Sequence, residues 1–256
     1  MTKVAVLDDW QRIADASADW SALKARAEVV FFHEAFASED EAAQKLADFD
    51  IVMALRERTA FPPSLVARLP KLKLFGMTGK RGATIDLAGM AARGITLTYT
   101  SGSETGAGTA ELALGLMMAA ARSIARGDAA IRAGGFQDGV PAGPELAGKT
   151  LGLVGLGRIG RHMARYGKAL GMNVLAWSPN LDEARATEGG AHYRAKDELL
   201  AQADVVSLHI VLSDRTRGVI GARELGLMKS GAILVNTSRG PLVDEAALIA
   251  ALEAGT

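Results

Sequence analysis

Three glycines at positions 155, 157 and 160, in the run LVGLGRIGRHM, have the spacing that speaks most directly of chemistry. The stretch from Leu151 to Val154 reads as a strand and the segment after the glycines, out to Leu170, as a helix. A strand-to-helix turn of this kind needs Gly155 for its tight geometry, Gly157 so that the backbone can approach a pyrophosphate, and Gly160 so that the helix packs closely on the sheet. The phosphates would meet the unpaired N–H groups and the positive dipole end of that helix. Glycine spacing alone is weak. Set between a strand and a helix, with a second strand from Asn173 to Trp177 at the right distance, it is a dinucleotide-binding signature. At the end of that second strand an Asp or Glu would accept hydrogen bonds from the ribose hydroxyls and repel a 2′-phosphate, and Ser178 stands there instead. No arginine follows directly to bind a 2′-phosphate, Arg185 being the nearest, so NAD and NADP both stay open with a slight lean to NAD.

A buried-looking strand, Ile233 to Asn236, runs into a lone arginine, Arg239, on a Ser-Arg-Gly-Pro turn. His209 falls at the C-terminal end of another strand, Val205 to Ile210, the edge at which open α/β sheets bind ligands. The other three histidines read as bland: His33 after a strand, His162 outward-facing near the start of the helix that follows the glycines, and His192 on a short strand near a sheet edge. The chain has no cysteine, which excludes disulfides, thiolate metal sites and thiol catalysis together, and no metal centre is expected.

The elements that must position these residues alternate between short β-branched runs and amphipathic segments of helix length, the pattern of parallel sheets built from βα units. In the first hundred residues the strand candidates are Val4 to Leu7, Val29 to Phe32, Ile51 to Leu55, Leu72 to Met77 and Ile95 to Tyr99. A small-residue stretch, TSGSETGAG, then leads into a long apolar helix from Thr109 to about Arg126 and an irregular arm, RAGGFQDGVPAGPELAGK. After the arm the alternation restarts. The expectation is an α/β protein of two doubly wound parallel-sheet domains, residues 1–100 and 101–256, with a cleft between them. So apolar a helix, followed by so much Gly and Pro, predicts a homodimer interface. Lys plus Arg and Asp plus Glu are both 29, so no basic footprint points to nucleic acid and the expected partner is a small molecule. The longest apolar stretch, Leu112 to Ala121, is about half a bilayer span, and MTKVAVLDDW carries acids where a signal peptide would be apolar. No membrane partner and a cytoplasmic location follow as expectations.

Three stretches, ELAGKTLGLVGLGRIG, ADVVSLHIVLSDRTRG and MKSGAILVNTSRGPLVDEAAL, resemble in this order the D-isomer-specific 2-hydroxyacid dehydrogenases, which include phosphoglycerate dehydrogenase and the glyoxylate and hydroxypyruvate reductases. The N-terminal half shares the likeness through LRERT and LFGMTGKRGATIDLAGMAARGITLTYT, so it covers essentially the whole chain. The resemblance implies a flavodoxin-like substrate domain ahead of a Rossmann cofactor domain. It also implies reversible hydride transfer between C4 of a nicotinamide and C2 of a 2-keto or D-2-hydroxy acid. That reaction needs a cation to hold the carboxylate, for which a planar guanidinium is suited. It also needs a proton donor, commonly a histidine, with a carboxylate behind it. Arg239 matches the family's catalytic arginine and Arg56, in LRERT, an arginine that meets the substrate carboxylate from the substrate domain. Lys80 and Arg81 occupy the loop whose backbone holds that carboxylate in relatives, and two cations there depart from the family's small residues, suggesting a more acidic substrate or a solvent-facing loop. Arg158 and Ile159 would offer backbone N–H groups to the pyrophosphate, while His209, Thr216 and Thr237 match positions that line the dinucleotide. A threonine at a strand end is also a common turn former.

In the family the acid-orienting glutamate and the catalytic histidine follow the arginine, and only 17 residues follow Arg239 in this chain of 256. Glu245 and Glu253 do not match. The expectation is therefore a C-terminally truncated dehydrogenase, its cofactor domain lacking the last strands and the chain inactive by itself. Two other classes compete: a non-catalytic dinucleotide-sensing module of the corepressor type, and a methyltransferase or other Rossmann protein, which would not need the Ser-Arg-Gly-Pro turn.

Overall fold

The structure, a computed structural model, describes residues 1–55, 58–79, 84–100 and 105–255. The chain divides into two compact units, Met1–Glu104 and Thr105–Thr256. In the first, β1 (Thr2–Val6), α1 (Ser21–Lys24), β2 (Ala27–Phe31), α2 (Glu39–Leu46), β3 (Ile51–Ala54), α3 (Pro63–Ala67), β4 (Leu74–Thr78), α4 (Leu87–Ala92) and β5 (Thr96–Thr100) alternate along the chain. All five strands are parallel, in the order β2-β1-β3-β4-β5. This is the flavodoxin-like order, and it reverses direction between β1 and β3. The core of the unit includes Val52, Leu65, Phe61 and Phe75, the two rings meeting edge-on at 4.9 Å. Helix α2 shows why a local sequence settles a helix start: Ser38 caps it by accepting the Glu41 N–H, and Glu39, Asp40 and Glu41 complement the dipole of its first turn.

The second unit begins with α5 (Ala107–Ala121) and α6 (Ile124–Arg132). It continues through β6 (Thr150–Val154), α7 (Arg158–Ala169), β7 (Asn173–Trp177), α8 (Glu183–Glu188), β8 (His192–Tyr193), α9 (Lys196–Gln202), β9 (Val205–Leu208), α10 (Ala222–Leu227), β10 (Ile233–Asn236) and α11 (Glu245–Ala254). Its parallel sheet has the order β10-β9-β6-β7-β8, the Rossmann order read from its far end, reversing between β6 and β9. Central strands buried on both faces read as unbroken apolar runs, and every residue of Leu151–Val154 and of β9 is buried. On α7 the buried residues are Gly160, Met163, Ala164 and Gly167, spaced to form one face. Two of them are glycine because the helix lies so close: a Cβ on Gly167 would sit 2.8 Å from a methyl of Leu151.

Every anticipated strand forms, with ends displaced by no more than two residues. The apolar helix does not run as one piece to Arg126: it stops at Ala121, Ser123 takes φ 50, and α6 begins at Ile124. The arm packs on its own unit. Leu146 enters the core around Ala110, Met117 and Leu151, and a Cβ on Gly143 would clash with the Ala121 carbonyl oxygen, so the arm folds back over the end of α5.

Candidate functional site

The glycine turn joins β6 to α7, and each glycine has its own physical reason. Gly155 takes φ +104, and a Cβ there would lie 2.6 Å from the carbonyl carbon and oxygen of His209, so the turn is pressed against the backbone leaving β9. Its N–H donates to Trp177 O at 2.7 Å, tying the turn to the end of β7 as well. Gly160 is packed from behind: its Cβ would lie 2.2 Å from Gly155 O. Gly157 differs from both. It is exposed, its φ of −78 is open to any residue, and no atom lies within 4 Å of where a Cβ would be. Its own fold does not require a glycine; a ligand approaching the backbone would. Arg158 and Ile159 open α7, where first-turn N–H groups lack helical acceptors. Gly106, at φ +66, lets the start of α5 abut this turn, since a Cβ there would sit 3.1 Å from Ile159 Cγ1.

The ends of the neighbouring strands complete the same edge of the sheet. Ser178 follows β7 and is half-buried, its carbonyl accepting the Leu181 N–H. His209 follows β9, where its Nε2 lies 2.8 Å from Ser207 Oγ and its Nδ1 is buried without a hydrogen-bond partner. Burial pushes the imidazole down to about 4. Thr237 follows β10, with a buried hydroxyl that likewise has no partner. Ser238 Oγ donates to Leu208 O at 3.0 Å and so fastens the two strand exits together. Arg239 is exposed, with Nη1 donating to Ser238 O at 3.0 Å and its carbonyl accepting from Asn236 Nδ2 at 2.8 Å. Thr216 lies further along the loop after β9, where its hydroxyl donates to Val211 O at 2.7 Å and accepts the Ser213 N–H at 2.8 Å. These bonds make Thr216 a loop former.

The histidines other than His209 have settled partners or none of chemical interest. His33 Nδ1 lies 3.1 Å from Asp9 O. His162 is not simply outward-facing: Nε2 donates to Thr105 O at 2.9 Å, and Nδ1 accepts from Arg165, so the ring pins the segment ahead of α5. His192 is exposed on β8 at the sheet edge.

In the first unit the reversal between β1 and β3 is bridged by Asp8. This buried residue takes φ 62, a backbone region few side chains other than Asn and Asp adopt readily. Its carboxylate accepts the Thr59 N–H at 3.2 Å and the Thr59 hydroxyl at 2.8 Å, and its carbonyl accepts from Arg58 Nη1 at 2.9 Å. Burial raises its pKa, opposed by Thr59 and Arg58. Arg58 also stacks 4.5 Å over the Trp10 ring. Arg56, Lys80 and Arg81 lie outside the described residues.

Against known proteins, the family model described as D-isomer specific 2-hydroxyacid dehydrogenase, NAD binding domain, matches residues 114–256, more than half of the chain. The chain belongs to that dehydrogenase family. A D-3-phosphoglycerate dehydrogenase of Archaeoglobus fulgidus is 37% identical over 218 residues, covering 85% of this chain and 41% of the relative. A glyoxylate reductase of Aeropyrum pernix is 40% identical over 198 residues, covering 75% and 59% respectively. The chain thus spans less than two thirds of either relative. The crystal structure of a phosphoglycerate oxidoreductase from Vibrio cholerae matches with a TM-score of 0.93 at 36% identity, covering 100% of this chain and 81% of that one.

As in a 2-hydroxyacid dehydrogenase, the cofactor class is a nicotinamide dinucleotide. The residues present fit one: open space over Gly157, and two buried polar atoms without partners, on His209 and Thr237, at the same sheet edge. Sequence reasoning passed over Ser207 and the Asp8–Thr59 bridge. Ser207 had a local signal, because residues two apart on a strand share a face. Asp8 had none, since Thr59 is 51 residues away.

Proposed function

We propose that the second unit binds NAD or NADP across the glycine turn and that the chain serves in the interconversion of a 2-keto acid and a D-2-hydroxy acid. The observation that carries this reading is Gly157, a glycine that neither its backbone angle nor its neighbours require, at the N-terminus of a helix on the switch point of a Rossmann sheet. When bound, the nicotinamide supplies or accepts the hydride. Gly157, Arg158, Ile159 and Gly160 hold the pyrophosphate, Gly155 shapes the turn, and Ser178 lies at the ribose. His209 and Thr237 line the dinucleotide, Thr216 supports the loop beside them, and Arg239 holds the substrate carboxylate bidentately. Residues 1–100 are proposed as the substrate domain, with Arg56, Lys80 and Arg81 as its substrate-binding residues, and residues 101–256 as the cofactor domain. The added cations favour an acidic substrate.

Proton delivery is the step for which the four histidines of this chain are least suited. His33 and His162 are engaged elsewhere, His192 is on the far strand, and His209 is neutral near pH 7 with a pKa of about 4. We therefore expect the 256-residue chain to bind NADH, seen as enhanced nucleotide fluorescence, yet to reduce glyoxylate or hydroxypyruvate slower than a dehydrogenase with a proton-donating histidine in place, by a factor of about a hundred to ten thousand. Arg239→Ala should leave NADH affinity nearly intact and abolish binding of the keto-acid analogue oxamate to the NADH complex. Failure to bind NADH would end the reading; vigorous turnover would end only its account of the proton.

Leu112 and Leu116 of α5, with Ile124 and Ile131 of α6, are exposed apolar side chains on consecutive helices. We propose that they bury against a second copy of the chain, as homodimers commonly cover such a surface.

A further inference from the structure

The pair Ser207 and His209 carries an inference about the cofactor site that rests on the dinucleotide reading above. Both side chains lie on one face of β9 and its exit, and Ser207 is fully buried. Among the described contacts the Ser207 hydroxyl has one hydrogen-bond partner, His209 Nε2 at 2.8 Å, and His209 Nδ1 has none. Two neutral tautomers can be weighed by counting. If Nε2 carries the proton it donates to Ser207 Oγ, which leaves the serine O–H and the Nδ1 lone pair both buried and unpaired. If Nδ1 carries the proton, Ser207 donates to Nε2 and a single group, the Nδ1–H, is left over. The second arrangement strands fewer groups, and an unsatisfied buried donor asks for an acceptor. His209 lies beside the glycine turn: its backbone abuts Gly155, and its Cβ is 3.9 Å from where a Cβ on Gly160 would lie.

We propose that Ser207 is a positioning residue that holds His209 as the Nδ1–H tautomer, so that the ring offers a neutral hydrogen-bond donor to an acceptor oxygen of the bound dinucleotide. Burial keeps the imidazole uncharged near neutral pH, as this role requires. Histidine here is then a donor of fixed direction, not a carrier of protons.

Two-bond nitrogen–proton correlation spectra of the protein with 15N-labelled histidine, recorded without nucleotide, read the tautomer directly, and a fluorescence titration with NADH reads its consequence. The wild-type spectrum should show His209 protonated at Nδ1. Ser207→Ala, which removes the hydroxyl without adding bulk, should shift the ring toward Nε2–H or a mixture and weaken NADH by about fivefold, the worth of one neutral hydrogen bond. Ser207→Thr, which keeps the hydroxyl, should restore both. An Nε2–H ring in the wild type, or an unchanged ring in Ser207→Ala, overturns the proposal. A shifted ring with unchanged NADH affinity overturns its second half, the donation to the dinucleotide. Failure of the wild type to bind NADH would defeat the dinucleotide reading itself, and would do so whatever the tautomer spectra show.

Discussion

Gly157 and Gly160 stand three residues apart and should respond to the same substitution in opposite ways. Gly160→Ala places a methyl against the Gly155 carbonyl oxygen, a rigid backbone atom, and overpacking of this kind costs about 1–3 kcal/mol. Gly157→Ala meets nothing in the free protein, so thermal or urea unfolding should register almost no loss of stability while NADH affinity falls. Equal effects of the two on unfolding would show that Gly157 is structural after all. Ser178 admits a second residue-scale experiment. Ser178→Asp should tilt the NADH-to-NADPH affinity ratio toward NADH by about 1–3 kcal/mol, because a carboxylate would bond the ribose hydroxyls and repel a 2′-phosphate. An unchanged ratio would place the ribose elsewhere.

At the scale of elements, the helices α9 and α10 are joined by a partly buried ion pair. Lys196 Nζ lies 2.7 Å from Glu224 Oε1, the two side chains being 23% and 12% exposed, and the other Glu224 oxygen accepts the Gly221 N–H at the start of α10. Burial pushes the Glu224 carboxyl up, and the bonds from Lys196 and Gly221 outweigh it, bringing the pKa from 4.5 to about 2. A carboxylate with a lowered folded-state pKa contributes stability that is fully present above 4.5 and is lost as the pH falls from there through about 2. On the order of 1–3 kcal/mol should disappear across that window, as read by urea unfolding at a series of pH values. Glu224→Gln should be less stable at neutral pH and flatten this part of the profile; a parallel profile would mean that other carboxylates carry it.

For the whole molecule, the two sheets share an all-parallel construction but reverse at different places, between β1 and β3 in one unit and between β6 and β9 in the other. Each reversal gathers its polar residues at strand ends, Asp8 with Thr59 in the first and the glycine turn with His209 in the second. Assembly is the remaining large-scale property. Light scattering should report a dimer at micromolar concentration, and Leu112→Lys combined with Leu116→Lys, both on exposed positions of α5, should yield a folded monomer. A wild-type monomer, or a double variant that remains dimeric, would remove α5 from the interface.

The sequence by itself determined the order and type of nearly all the strands, the strand-glycine-helix turn, and the family. Each is written in a few consecutive residues: unbroken apolar runs for buried parallel strands, and three glycines within six positions for the turn. What only the tertiary structure decided are meetings between distant segments. That Gly155 presses on His209, that Asp8 holds Thr59, that the arm folds over the end of α5, and that the apolar helix breaks at Ser123 all depend on sheet order and packing. Local periodicity carries no information about which strand lies beside which. The difference between Gly157 and Gly160 was legible in the motif, which assigns backbone approach to the first and helix packing to the second; the structure adds that a Cβ on Gly160 would press on the Gly155 carbonyl oxygen whereas one on Gly157 meets nothing within 4 Å.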